Sequence, residues 1–212
     1  MKKAKKILVM VAALALTAAL AIGGTLAYLT STTEVVQNTF TVGKVAITLD
    51  EADVNLQGEI ESEERVLGNE YKLMPGHEYI KDPTVTVKAD SEESYVRMIV
   101  TISDLADVKA AFGADFLPQY FVTGWDNDIW ETTGQVIETN DTAAYEFRYY
   151  KTVETVDKED LKLEPLFKTI KVPGSVENEA LAALEEMEIN VIAYAIQADG
   201  FDDAEAAWAA FE

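Results

Sequence analysis

The residues of this sequence that could do chemistry are few, and its single histidine comes first among them. His77-Glu78 begins a string that resembles the His-Glu-x-x-His zinc motif, but the fifth residue is Lys81. A zinc protease of that type needs two histidines one helical turn apart and a third ligand. His77 also follows Pro75-Gly76, which predicts a turn rather than a helix. We therefore interpret His77 as a surface or structural residue, and we predict no metal site.

The rest of the composition argues against enzyme chemistry. The chain has no cysteine, which excludes disulfides, thiolate nucleophiles and cysteine-based metal sites. A Ser-His-Asp triad would have to use His77, and the sequence has no G-x-S-x-G elbow and no phosphate-binding glycine loop. Carboxylates are abundant, but no pair stands out as a glycosidase pair. The prediction is a protein that is not an enzyme, with no catalytic residues and no cofactor.

Two clusters of side chains allow a binding role. Residues 51–70 hold seven acids against one base, Arg65, which predicts a solvated loop and at most a weak cation site, since no EF-hand pattern is present. Eight of the twenty aromatic residues fall between Tyr120 and Tyr150. Alternation would place the rings of one strand, 145–149, on one face. Core packing explains these rings, and the functional alternative is a stacking platform for sugars.

The elements that must position these residues are mostly strands. Alternating apolar positions and turn signals predict strands at 45–49, 84–88, 94–102, 120–122, 129–131, 135–138, 144–151, 166–172 and 189–197. The last of these is the most apolar, and we expect it to be central. Short helices are expected after Asp104, from Ser175 to about Met187, and from a capping pair of Asp202 and Glu205 to near Phe211. Strands and helices do not alternate along the sequence, so a parallel sheet is not predicted. The predicted fold is therefore all-β, an antiparallel jelly-roll-like sandwich with two or three short helices, in one domain over residues 44–212.

The N-terminus reads as a cleavable signal peptide over residues 1–27. Four lysines precede an apolar stretch from Ile7 to Ile22, and a double glycine and Thr25-Leu26-Ala27 follow. Small residues at the −3 and −1 positions predict cleavage between Ala27 and Tyr28. The competing interpretation is a retained membrane anchor, since residues 7–27 carry no charge and are long enough to span. The next charge is Glu34 and no basic cluster follows, which favours cleavage and no stable membrane span afterwards.

Cleavage would free a second segment, residues 28–43, with an unusual composition. It carries one charge, and ten of its sixteen residues are β-branched or aromatic. Such a segment prefers an extended conformation and pairs readily with a strand edge. It is either the first strand of the sheet or a donor strand that completes a neighbouring subunit by β-augmentation. The candidate donor residues are Tyr28, Leu29, Val35, Val36 and Phe40.

The net charge limits the partners. The whole chain carries −21, and the four leader lysines are the only charges before residue 28, so residues 28–212 carry −25. This charge repels nucleic acid and anionic membranes, and it favours cations or basic partners.

Several of these features together resemble the TasA/camelysin (CalY) family of exported proteins, which a SipW-like signal peptidase processes. The leader ending Gly-Gly-Thr-Leu-Ala carries the resemblance most specifically, with Asn38-Thr39-Phe40 and Gly43 after it. Leu73-Met74-Pro75-Gly76 with the strand that follows, and the stretch 189–201, fit the same group more diffusely. The resemblance implies a secreted jelly-roll subunit of gram-positive bacteria whose freed N-terminus inserts into the next subunit of a biofilm fibre. Some relatives carry a metallo-endopeptidase label, whose ligands this sequence lacks.

Three hypotheses about function follow. The first is an extracellular or cell-surface structural protein that assembles head to tail into a homopolymer, with Ca²⁺ as a weak charge neutraliser. The second is a monomeric extracellular module that binds carbohydrate or another ligand through the 120–150 aromatics. The third and least favoured is a metallo-endopeptidase that uses His77.

Overall fold

The structure is a computed structural model that describes residues 43–113, 121–139, 141–155 and 159–211. In these ranges the chain forms eleven strands and three short helices, and every ladder pairing between strands is antiparallel. This confirms the predicted all-β class. The predicted signal helix and the candidate donor segment, except Gly43, lie outside the described residues.

The strands are β1 (Ile47–Val54), β2 (Ile60–Val66), β3 (Glu78–Ile80), β4 (Thr84–Val87), β5 (Ser94–Ile102), β6 (Val122–Thr123), β7 (Trp130–Glu138), β8 (Ala143–Tyr149), β9 (Leu161–Lys162), β10 (Thr169–Lys171) and β11 (Ile189–Gln197). The helices are α1 (Leu105–Phe112), α2 (Asn178–Ala182) and α3 (Ala204–Phe211). They form three sheets, with the strand orders β2-β1-β4-β9, β3-β10-β6 and β11-β5-β8-β7.

One hydrophobic core joins the three sheets. Its fully buried members include Val85 of β4, Met98 of β5, Trp130 of β7 and Ile170 of β10. The alternating apolar residues of β5 and β8 point into this core, as their pattern predicts. Burial of these side chains is the main stabilising term of the fold.

The strands predicted from strict alternation are the most accurate. β5 spans the predicted 94–102 in full, and β4 differs from its prediction by one residue. The two strands predicted at 129–131 and 135–138 are in fact one strand, β7. The expected turn at Thr133-Gly134 is instead a bulge in the pairing with β8, between Thr132 and Val136. Gly134 has a φ of 70°, which a bulge accepts and a regular strand position does not.

The prediction of a solvated loop over residues 51–70 is wrong, since this region completes β1 and forms β2. Asn55 closes the hairpin, because its Oδ1 accepts hydrogen bonds from the backbone N–H groups of Gln57 and Glu59 at 3.0 and 3.1 Å. Gly58 has a φ of 76°, and a Cβ there would lie 2.5 Å from Tyr79 Cα.

Arg65 compensates part of the negative charge of this region. Its Nε lies 2.7 Å from Asp50 Oδ1 and its Nη1 lies 2.6 Å from Asp82 Oδ2.

The helix boundaries also differ from the predictions. The helix expected from Ser175 to Met187 is reduced to α2, and Glu177 occupies its N-cap position. In α3 the capping residue is Asp203, whose Oδ1 accepts the N–H of Ala206 at 2.8 Å, rather than Asp202. Asp104 precedes α1 as predicted, but it has a φ of 51° and its carboxylate caps no N–H group of the helix. The strand expected at 166–172 is shortened to β10.

Candidate functional site

A chain that accepts a donor strand must offer an open sheet edge, because the backbone groups of that edge make the new hydrogen bonds. In the described part of the chain, the six strands that end the three sheets are β2, β9, β3, β6, β11 and β7. Three of them are only two or three residues long, namely β9, β6 and β3. The candidate edges are therefore β2, β7 and β11.

Charge and irregularity make two of these edges poor acceptors. β2 reads IESEERV, so three of its seven residues are glutamates, and Glu59 precedes it. Charged side chains on an edge strand oppose pairing with another chain. β7 carries Glu131 and Glu138, and its bulge interrupts the regular spacing of its backbone groups.

β11 has none of these obstacles. Its nine residues, INVIAYAIQ, carry no charge, and they pair with β5 in one continuous register from Ile189↔Ile102 to Gln197↔Ser94. The prediction that this strand is central is wrong, because β5 is its one ladder partner among the described residues. Its apolar character is explained by contact with the core on one face and with α3 on the other.

The hydrogen bonds beyond the two ends of β11 show which of its backbone groups face outward. Ser103 N–H donates to Glu188 O at 3.0 Å, and Ala198 N–H donates to Glu93 O at 2.8 Å. In an antiparallel ladder, the backbone N–H and C=O groups of successive residues point alternately toward the partner strand and away from it. The even-numbered residues of β11 therefore bond β5, and the odd-numbered residues direct their N–H and C=O groups away from it. The outward set is Ile189, Val191, Ala193, Ala195 and Gln197.

The side chains around this edge are apolar on both faces. Val191, Ala193 and Ala195 pack against the core. β1, a strand of another sheet, also lies close to β11 but forms no ladder hydrogen bonds with it. On the opposite face the side chain of Ile192 is 52% exposed. A strand added to β11 would therefore find apolar neighbours for alternate side chains on each face.

The C-terminal helix α3 holds the opposite face of β11 in place through Arg97 of β5. Arg97 is buried, and its guanidinium carbon lies 4.4 Å from the ring centre of Trp208 and 5.3 Å from that of Tyr194 on β11. The rings of Tyr194 and Phe211 meet edge to face at 5.5 Å. These contacts connect α3, β5 and β11, so the open edge belongs to a fixed part of the sheet.

A polar groove of about 430 Å³ is lined by residues of β7, β8 and α3. Arg148 lines it, and its guanidinium bonds Glu146 at 2.7 Å and Glu205 at 2.6 Å. Because these carboxylates compensate the one cation and Glu131 adds a further charge, the groove is acidic overall.

The aromatic residues predicted as a core or a sugar platform mostly belong to the core. Phe121, Trp130, Tyr145 and Phe147 are buried, which confirms the packing interpretation for these rings. Tyr150 is 46% exposed and stacks edge to face on Tyr149 at 5.0 Å. No row of exposed rings is present in the described part of this region.

His77 lies where its turn signal predicts. Its side chain is exposed, it follows the turn at Pro75-Gly76, and its carbonyl accepts the N–H of Val172 at 2.9 Å. Among the described residues, no three histidine or acidic side chains are grouped so that they could hold a metal ion. Within the same ranges, every helix is too short or too polar to cross a membrane.

The predicted cleavage site at Ala27 and Tyr28 and the candidate donor residues lie outside the described residues. The class of protein that the described part defines is an antiparallel all-β domain with one long uncharged edge. Comparison with known proteins found no matching family model, no similar curated protein and no similar solved structure.

Proposed function

We propose that this chain is a secreted structural protein of the biofilm matrix or cell surface, and that it assembles into fibres by donating its N-terminal strand to β11 of the next subunit. The observation that supports this most directly is the nine-residue, uncharged and regularly paired edge of β11. Soluble β proteins usually protect such an edge with charges, proline or a bulge. Among the described residues β11 carries none of these devices, so it is a candidate site for another strand.

The proposed donor fits this edge in length and chemistry. Residues 28–40 form a thirteen-residue segment with one charge, Glu34, so the segment can span the nine residues of β11. Its candidate pairing residues are Tyr28, Leu29, Val35, Val36 and Phe40, which are apolar or aromatic like the neighbours of the edge. Ladder hydrogen bonds would supply affinity, and alternate side chains would supply register.

The contact we propose is head to tail. Donor and acceptor are different surfaces of one chain, so each added subunit offers a new edge and the polymer propagates instead of closing. The domain would be a jelly-roll-like sandwich, similar to the TasA/camelysin group, made for export from a gram-positive cell and processed by a SipW-like signal peptidase at Ala27-Tyr28. Calcium would act only as a weak neutraliser of the −25 charge.

The two alternative functions have less support. A monomeric carbohydrate-binding module would use the 120–150 aromatics, but the rings described there face the core, apart from Tyr150. A metallo-endopeptidase would need a group of metal ligands that includes His77, and no group of three such side chains is present among the described residues.

The test is negative-stain electron microscopy of residues 28–212, concentrated with and without calcium and at mildly acidic pH. A truncated variant that begins at Thr41 is the matched control, since it keeps every described residue. We expect fibres from the longer protein and none from the shorter one. Monodisperse particles from both proteins under every condition would reject strand donation and favour the binding module.

A further inference from the structure

A second cluster, independent of the proposed assembly, brings three complementary side chains together near the first sheet. Glu51 of β1 and Lys81, just after β3, are buried, with 4% and 7% of their surfaces exposed. Lys81 Nζ lies 2.7 Å from Glu51 Oε2, and Asn69 Nδ2 lies 2.9 Å from Glu51 Oε1. One carboxylate therefore contacts an amine and a carboxamide at the same time.

We propose that Lys81 and Asn69 form an intramolecular isopeptide bond, with Glu51 as the catalytic residue that transfers the protons. The amine of Lys81 is the nucleophile and the side-chain carbonyl carbon of Asn69 is the electrophile. The carboxylate of Glu51 touches both reacting groups, as a general acid–base must.

The orientation of the Asn69 amide suits this reaction. Its Oδ1 accepts the backbone N–H of Val54 at 3.0 Å, and its Nδ2 donates to the carbonyl of Ala52 at 2.8 Å. These two bonds fix which end of the amide is oxygen and which is nitrogen. The N–H of Val54 is placed to stabilise negative charge on Oδ1 during attack. The leaving nitrogen faces Glu51, which can protonate it.

Burial also keeps water away from the reacting groups. The carboxylate of Glu51 lies within hydrogen-bond reach of Lys81 Nζ and can take a proton from it as the new bond forms. The ring of Tyr71 lies over Lys81 Nζ at 5.8 Å from its centre and forms part of this enclosure. Burial, and then the charge of Glu51, raises the pKa of the Tyr71 hydroxyl.

The atoms and charges of the step balance without an oxidant or a cofactor. The lone pair of Nζ forms a bond to Cγ of Asn69, and the Cγ–Nδ2 bond breaks. Glu51 passes protons from Nζ to Nδ2, which departs as ammonia and leaves the site as ammonium. Glu51 ends as a carboxylate that accepts the N–H of the new amide. The product encloses residues 70–80 in a covalent loop.

Intact-mass spectrometry and peptide mapping of the full-length protein test this proposal. We expect a mass below that of the sequence, after allowance for any leader cleavage, by one ammonia molecule. Trypsin cannot cleave after a lysine whose amine is acylated. Residues 66–72 should therefore be recovered joined to an uncleaved 73–88 peptide.

Three variants test the roles of the reacting residues and of Glu51, and a fourth variant is the control. Lys81→Arg, Asn69→Ala and Glu51→Gln should each show the full sequence mass and separate peptides. Lys88→Arg alters an exposed ion pair with Asp160 instead and should keep the link. Circular dichroism establishes that each variant is folded. An unmodified mass for the folded wild-type protein after prolonged incubation overturns the proposal whatever the variants do. If the Glu51→Gln protein still forms the link, the catalytic role of Glu51 is overturned.

Discussion

Arg97 and Trp208 stack on each other with the guanidinium carbon 4.4 Å from the ring centre, and both residues are buried. Through this contact the C-terminal helix α3 covers one face of the sheet that carries the open edge β11. The face opposite the core is therefore stabilised by a cation–π contact rather than by aliphatic packing alone.

We expect Trp208→Ala to lower the free energy of unfolding by about 3–5 kcal/mol, the usual effect of deleting a buried tryptophan. It also removes the ring that covers Arg97. Urea unfolding followed by circular dichroism measures the change. Phe211→Ala is the control, since Phe211 is 43% exposed and its loss should have a smaller effect. Equal losses in the two variants would contradict the packing described for α3.

Ala193→Pro should abolish fibres while it leaves the monomer folded. Position 193 directs its N–H away from β5, so proline removes an edge donor without removing a bond within the sheet. Electron microscopy and the urea midpoint measure assembly and stability separately. Val136→Pro makes the same kind of change on the β7 edge and should leave assembly intact. Fibres from Ala193→Pro would exclude β11 as the acceptor.

Stability near pH 4 should depend on Glu78. Hydrogen bonds from Thr169 and Thr123 lower the pKa of this carboxylate below its ordinary value of 4.5. A lowered pKa contributes stability that is fully present above the unfolded value and is lost as pH falls through the folded value. The wild-type protein should have a higher free energy of unfolding than the Thr169→Val variant, and this difference should shrink on acidification below pH 4.5. An NMR titration of Glu78 checks this directly, and an unchanged pKa in the variant would contradict it.

Added sodium chloride should accelerate assembly of residues 28–212. The charge of −25 makes subunits repel each other, and salt reduces the Debye length from about 10 Å at 0.1 M to about 3 Å at 1 M. Light scattering against time measures the rate. Calcium chloride at matched ionic strength separates screening from specific binding. A rate that falls with salt would show that charge attraction, not repulsion, governs the contact.

The sequence is most informative where one strand face is buried. It predicts β5 over its full length because the apolar residues of this strand alternate and lie in the core. It does not predict β2, because the acids of this strand match a solvated loop and the ion pairs of Arg65 with Asp50 and Asp82 join distant segments. The turn pattern Asn55-Leu56-Gln57-Gly58 was the one local signal for that hairpin.

The candidate sites were less predictable, because each depends on partners that are far apart in the chain. β11 has the composition of a central strand, and only the pairing order shows that it ends a sheet among the described strands. Glu51 and Lys81 are thirty positions apart, and nothing local marks them as a buried pair. Asn69 is an ordinary loop residue by sequence, and its two backbone contacts become visible only after β1 and β2 are paired.

The acidic strand β2 has a consequence for the thickness of any polymer. It gives each subunit a flank with glutamates at 61, 63 and 64, and these flanks repeat along a filament at the spacing of the subunits. Two filaments that lie side by side with these flanks together would bring rows of like charge into contact. In the proposed polymer this repulsion would favour slender, separate threads in dilute salt, and ribbons or bundles only where multivalent cations bridge those rows.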